Sequence, residues 1–311
     1  MAPAAVWEKM NSQTSNESIA PLPSSDKAAW EPISFGGVAR FASAPVQRLW
    51  LIQLFVAILA AASVLAFFIL AWDQSITAAM QNLPNEASIA GGDLVWNGPD
   101  PVRLSSTRFL SIVVDSKGTR ELGQTADLQL ELGAARYSLR SDFGVLQMPY
   151  PPGLAIALSR MNFEPWYGAW RPFLLIGLVL SVIAGLLVIW FLLATLYALP
   201  VKVIASIKDR DVTLAGSWKL AGAALMPGAC VMSGAFFAYT LGLLSLLQFA
   251  FAVLVHFVLG WLYVIAAPLR LPATSVASPF GEEKKNPFTP SPPESPVPAK
   301  KRNPFAQADE G

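Results

Sequence analysis

Four long stretches of this sequence carry no charged residue, and that partition limits the fold more than any other feature. The runs cover 49–72, 173–199, 220–242 and 245–267, and all 22 basic and 21 acidic residues lie outside them. At ~1.5 Å rise per helical residue, the 24 residues of the first run exceed the ~30 Å hydrocarbon core of a bilayer. A charge at the bilayer centre costs at least ~2.5 kcal/mol on insertion scales, so lipid enforces such sorting. Composition agrees: 54% of residues are hydrophobic and 14% charged, against roughly a quarter charged in soluble domains. A cleaved signal peptide has a short apolar region near its start. This first run follows 48 polar-rich residues and reads as a retained anchor.

Orientation follows from Lys and Arg near the span ends. Arg40 and Arg48 precede the first span, Lys202, Lys208, Arg210 and Lys219 separate the second and third, and Arg270, Lys284 and Lys285 follow the fourth. No base occurs from Asp73 to Gly92, while Arg160 and Arg171 before the second span run against the pattern. The expected topology has both termini and the 200–219 loop in the cytoplasm. The expected fold class is an α+β membrane protein: four transmembrane helices, with a small, mostly-β external domain at 73–171 inserted between helices 1 and 2. A polar N-terminal segment (1–48) and a disordered cytoplasmic tail (268–311) complete the division.

The external segment reads as strands. Ile112, Val113 and Val114 precede "DSKG", which places Asp and Gly where a type I turn favours them. "ADLQLELGAARYSLRS" alternates Leu128, Leu130 and Leu132, then Tyr137 and Leu139, as a half-buried hairpin does. The stretch "YPPGLAIALSRMNFEPWYGAWRP" reads as a short helix or loop on the outer membrane surface. Asp93, Asp100, Asp115, Asp127, Glu131 and Asp142 supply carboxylates but no accompanying nucleophile or histidine, so structural roles are expected and no catalytic residue is assigned. Trp96 and Tyr150 are weighed as a sugar-stacking pair against core or interface roles.

Chemistry within the spans is sparse. One cysteine, Cys230, and one histidine, His256, exclude an intrachain disulfide and multi-Cys zinc sites, and no cofactor or metal is expected. A net charge of +1 gives no footprint for nucleic acid. Spans three and four form a tight helical hairpin. Pro227 removes a hydrogen bond and bends span three. Small residues recur there at four-residue spacing, Ala224 with Gly228, Ala229 with Ser233 and Gly234 with Ala238, and invite close helix packing. His256 lies near the middle of span four, where an ionisable residue is a functional candidate by default. The competing role is a hydrogen bond to a Ser, Tyr or carbonyl across the helix pair. His256, Pro227 and Ser233 form the candidate intramembrane polar site, and a Cys230–His256 nucleophile pair would need packing to join them.

The tail repeats one phrase. Asn286-Pro287-Phe288 and Asn303-Pro304-Phe305 each display a phenyl ring after a turn-favouring Asn-Pro, and two copies allow weak contacts to reinforce each other. With Lys284, Lys285, Lys300, Lys301 and Arg302 adjacent, the partners considered are anionic lipid, a protein, or none.

Several stretches resemble a family of bacterial membrane proteins, some of them filed with maltodextrin-utilisation genes: "LPNEASIAGGDLVW", "SIVVD", "PWYGAWRP" and "GSWKLAGAALMPGA". The resemblance covers roughly 48–267. It implies a bacterial cytoplasmic-membrane protein with an N-terminal span, a small external domain and a C-terminal helical group, and transfers no functional residue. From an external domain tethered at both ends and the scarcity of catalytic groups, the expected function is a non-enzymatic sensor, binding or accessory protein, with a small-solute transporter or channel component using the helix 3/4 hairpin as the alternative.

Overall fold

The structure, a computed structural model, describes residues 30–273. It is a mixed α+β protein in which four helical stretches are long and apolar enough to cross a membrane: Val46–Gln81, Arg160–Ile207, Leu214–Thr240 and Leu246–Arg270. A short helix α1 (Phe35–Arg40) comes first, its N-terminus capped by the Ser34 hydroxyl, which accepts from the Gly37 amide at 3.0 Å. Helix α2 (Val46–Phe67) passes through a π-helical turn (Phe68–Asp73) into α3 (Gln74–Gln81).

After the sheet domain, α4 (Arg160–Ile207) runs as one helix of 48 residues through Pro165, Pro172 and Pro200. At ~1.5 Å per residue it is about 72 Å long, more than twice the hydrocarbon thickness. The stretch expected as a separate surface helix or loop is thus continuous with span two from Arg160 onward. Helices α5 (Leu214–Ala224) and α6 (Met226–Thr240) form span three, and α7 (Leu246–Ala266) forms span four. The α6–α7 turn at 241–245 ends in a capping box, in which Ser245 accepts from the Gln248 amide and Gln248 from the Ser245 amide.

Span three is the core of the bundle. Of its most apolar stretch 67% is buried, against 28% for α2 and 6% each for α4 and α7. Small side chains make this possible, because they let helix backbones approach closely. A Cβ added to Gly222 would lie 3.1 Å from Leu49 and 3.6 Å from the Ala194 Cβ, so α2 and α4 close directly over this glycine. Gly228 likewise receives His256, whose Nδ1 would lie 3.0 Å from an added Cβ. The expected spacing fails at Gly234, which has open space beside it. The bend expected at Pro227 is a break at Leu225, and Pro227 sits buried in the first turn of α6, where the missing amide is harmless.

The domain between α3 and α4 contains two sheets. Strands β1 (Ala87–Ala90), β2 (Asp93–Trp96) and β8 (Ile156–Ala157) form an antiparallel sheet in the order β2-β1-β8. The other five strands, β3 (Val102–Ser106), β4 (Leu110–Val114), β5 (Leu128–Leu132), β6 (Arg136–Ser141) and β7 (Gly144–Pro149), pair in sequence order. The hairpin read from alternating Leu128, Leu130 and Leu132 is present as β5–β6, with Leu130 opposite Leu139. The "DSKG" turn is also present, its Gly118 amide donating to the Asp115 carbonyl.

Strand β4, however, pairs with β5 in parallel, Leu110 opposite Leu128. A parallel pair needs a crossover of a dozen or more residues, and residues 115–127 supply it as an irregular loop. One sheet face packs Val114, Ile112 and Leu132 against Ile89, Leu94, Tyr150 and Ala79 of α3. By strand alternation the opposite face carries Arg103, Ser111, Gln129, Glu131, Ser138 and Arg140. The crossover loop lies over it, tied by Arg103 to the Gly123 carbonyl (2.9 Å) and by Ser106 to Thr125 (2.9 Å).

Candidate functional site

Polar groups gather where the sheet domain meets the helices. Asp73, at the end of the π-helical turn, is buried and accepts from Tyr167 Oη at 2.6 Å and from Arg171 Nε and Nη2 at 3.0 and 2.7 Å. This two-pronged pair joins the first span to the second just beyond both apolar runs. It also explains why Arg171 breaks the pattern of flanking cations, since its charge is spent on Asp73.

A second tie joins the sheet domain to the α6–α7 turn. Arg108 Nη1 donates to the Gly242 carbonyl at 2.7 Å and Nη2 to the Leu244 carbonyl at 2.5 Å. Gly242 has φ +74°, a conformation that favours glycine, and its missing side chain leaves room for Arg108, whose Nη1 would lie 2.7 Å from an added Cβ. Tyr239 Oη donates to Asp127 Oδ2 at 2.7 Å. Around these bonds Phe67, Phe109, Phe236, Tyr239 and Phe249 stack or meet edge-on with centroids 4.9–5.7 Å apart, within the favourable range for aromatic pairs. Asp127 closes the crossover loop, so one segment walls the polar sheet face at its start and holds the hairpin at its end.

At its start, burial pushes the Asp115 carboxyl up, but amide hydrogen bonds from Arg120 (2.7 Å) and Thr119 (2.9 Å) outweigh this and leave it below the ordinary value. Asp100 accepts from the Ser116 amide and hydroxyl, and Glu131 pairs with Arg140 at 2.7 Å. These carboxylates are each engaged with donors rather than with one another. Tyr150, weighed as a stacking residue, is 4% exposed, and burial raises its hydroxyl to about 12 while it donates to the Gly133 carbonyl. It is core. Trp96 donates to the Pro99 carbonyl at 2.9 Å.

Within the bundle, His256 and Ser233 line one cavity of about 320 Å³ between α2, α4, α6 and α7, with Trp190, Phe236 and Phe257. Pro227 lies outside its lining. The two polar residues do not bond each other: Ser233 donates to the Ala229 carbonyl of its own helix at 2.9 Å. His256 Nδ1 is buried against Gly228 with no hydrogen-bond partner. Cys230 is a free, partly buried thiol packed in the Val56–Trp190–Met226 cluster. The Asn-Pro-Phe residues 286–288 and 303–305 lie outside the described residues.

Asp73, Tyr167, Arg171, Arg108, Asp127 and Tyr239 were not legible as a constellation in the sequence. Asp73 and Arg171 left one signal, opposite charges abutting the outer ends of the first two apolar runs. Comparison with protein-family models, curated proteins and solved structures finds no match.

Proposed function

We propose that this chain is a multi-pass protein of a bacterial cytoplasmic membrane that acts without catalysis. Its sheet domain lies outside, takes up a small ligand or partner, and passes that event to the helices. The observation that carries the reading is the double duty of the 115–127 crossover. Its first residues wall a polar concavity on the sheet, and its last, Asp127, holds Tyr239 beside the α6–α7 turn. A ligand that moves the loop has a direct mechanical path to span three, the most buried element of the bundle. Arg108 and Asp127 tie the domain to the α6–α7 turn, and Asp73 ties its two tethering helices to each other, so the domain does not swing freely on its two tethers.

The orientation rests on charge. Arg40, Arg48, Lys202, Lys208, Arg210, Lys219 and Arg270 flank the span ends remote from the sheet domain, as the positive-inside rule requires of a cytoplasmic face. The experiment is a distance measurement between spin labels at Gln81 and Leu243 in reconstituted protein. Ligands that alter this distance in the native chain, and fail to do so in Tyr239→Phe, support transmission through the loop. A distance indifferent to every bound ligand removes the sensor reading. An impermeant thiol reagent that labels Lys117→Cys only in lysed cells overturns the orientation.

The bundle cavity favours a second reading, a transporter or channel component with His256 in the pathway. Loss of flux per folded molecule in His256→Phe vesicles, at unchanged melting temperature, selects it over the first.

A further inference from the structure

The polar concavity beneath the crossover loop has a volume of about 370 Å³, at the lower end of the ~300–1,000 Å³ typical of small-molecule sites. Its charges are unbalanced. Lys117, Arg120, Arg136 and Arg140 line it against two acids, Asp115 and Glu131. Both acids are already used. Glu131 holds Arg140 through Nε at 2.7 Å and Nη2 at 3.1 Å, and Asp115 faces the Thr119 and Arg120 amides.

Lys117, Arg120 and Arg136 thus have no side-chain partner among the described residues. These three cations are exposed to solvent around one recess, and together they set a positive local potential that favours a bound anion. Position is also controlled. Arg120 stands at φ +56°, a conformation unfavourable for a side-chain-bearing residue, and the bond of its amide to Asp115 holds it there. Ser138, 5% exposed on β6, and Gln147 on β7 add neutral hydrogen-bonding groups to the lining. Guanidinium forks match the planar or tetrahedral oxygens of carboxylates and phosphates.

We infer that this concavity binds a small oxyanion carrying about two negative charges, gripped by Arg120 and Arg136 with Lys117 at the rim. The inference rests on the proposed reading that the sheet domain takes up a small ligand, and it names the chemical class. Arg120 and Lys117 belong to the loop that ends at Asp127, so the anion draws on the same segment that holds Tyr239.

The test uses the full chain in nanodiscs of zwitterionic lipid, where no anionic headgroup competes. Titration with succinate and with inorganic phosphate separates the organic from the inorganic source, and glucose serves as the neutral control. Binding is read by calorimetry and by the rise in melting temperature. At least one anion binds at millimolar concentration or tighter, with an affinity that falls as salt rises. Arg136→Glu and Arg120→Gln each weaken it by about ten- to hundredfold, with circular dichroism reporting retention of the fold. Absence of binding by both anions, affinity unchanged in both folded variants, or glucose binding at the same concentration overturns the inference. The Gln81–Leu243 distance is recorded in the same titration. Anion binding with a static distance upholds the anion site and counts only against transmission. A distance that responds to glucose alone keeps transmission and removes the anion.

Discussion

The interior of the helical bundle and its junction with the sheet domain are held by opposite means. In the bundle, Leu49 and Ala194 toward the end remote from the sheet domain, and Ala57 farther in, pack among the small residues of span three, and His256 leaves Nδ1 without a partner. At the junction the helices meet through charge: Asp73 with Arg171 and Tyr167, Asp127 with Tyr239, and Arg108 on two turn carbonyls. On the proposed membrane reading the difference follows from the medium: hydrocarbon makes any charge expensive and rewards close shape, whereas near water a charge is cheaply retained and gives directional bonds. Fit within the bundle and polar bonds at the junction are therefore separable contributions, and substitutions in each region distinguish them.

The largest effect is expected from Gly222→Leu, which forces a branched chain into a site that a single Cβ already crowds. Overpacking of this kind costs about 3 kcal/mol, read as loss of monodisperse protein and a lower melting temperature. Gly234→Leu, placed in open space, leaves both unchanged, and equal losses in the two variants would erase the packing half of the comparison. Arg171→Ala comes next. It leaves the buried Asp73 carboxylate with Tyr167 alone, at a cost of about 2 kcal/mol, reduced because the Arg171 side chain is 43% exposed. Adding Asp73→Asn recovers part of the loss.

Tyr239→Phe removes one hydrogen bond to a carboxylate and costs about 1.5 kcal/mol, with faster amide exchange in the 241–245 turn while exchange at mid-bundle stays as before. Acid sharpens the picture inside the sheet domain. The folded Asp115 carboxyl lies below its unfolded value of 3.8, so its stabilisation is complete above that value. It is lost as pH falls through the lower, folded value. Asp115→Asn lacks this acid limb in a pH titration of sheet-domain melting. The smallest effect belongs to His256→Phe. Replacing a buried nitrogen that has no partner by a ring of similar shape changes stability by less than about 0.5 kcal/mol. A large loss there would reveal a hydrogen bond of His256 that holds the hairpin together.

Much of the fold was legible because it depends on neighbours in sequence. Leu128, Leu130 and Leu132 state a half-buried strand by their own alternation. Gly228 announced a close helix contact. Gly234 made the same announcement falsely, since spacing alone does not tell which side of a helix faces another. The candidate site was less legible. His256 and Ser233 do line one cavity, but His256 Nδ1 finds no hydrogen-bond partner across the hairpin among the described residues.

What the sequence determined by itself is the division into four apolar spans and an inserted strand-rich segment, because the transfer free energy of a contiguous run depends only on the residues in it. The tertiary structure alone decided that β4 lies parallel to β5, that the 115–127 loop covers the polar sheet face, and that Arg108 reaches a turn 134 residues away. Such partners are chosen by the path of the chain in space, and no local preference of Arg108 or Asp127 encodes where that path returns.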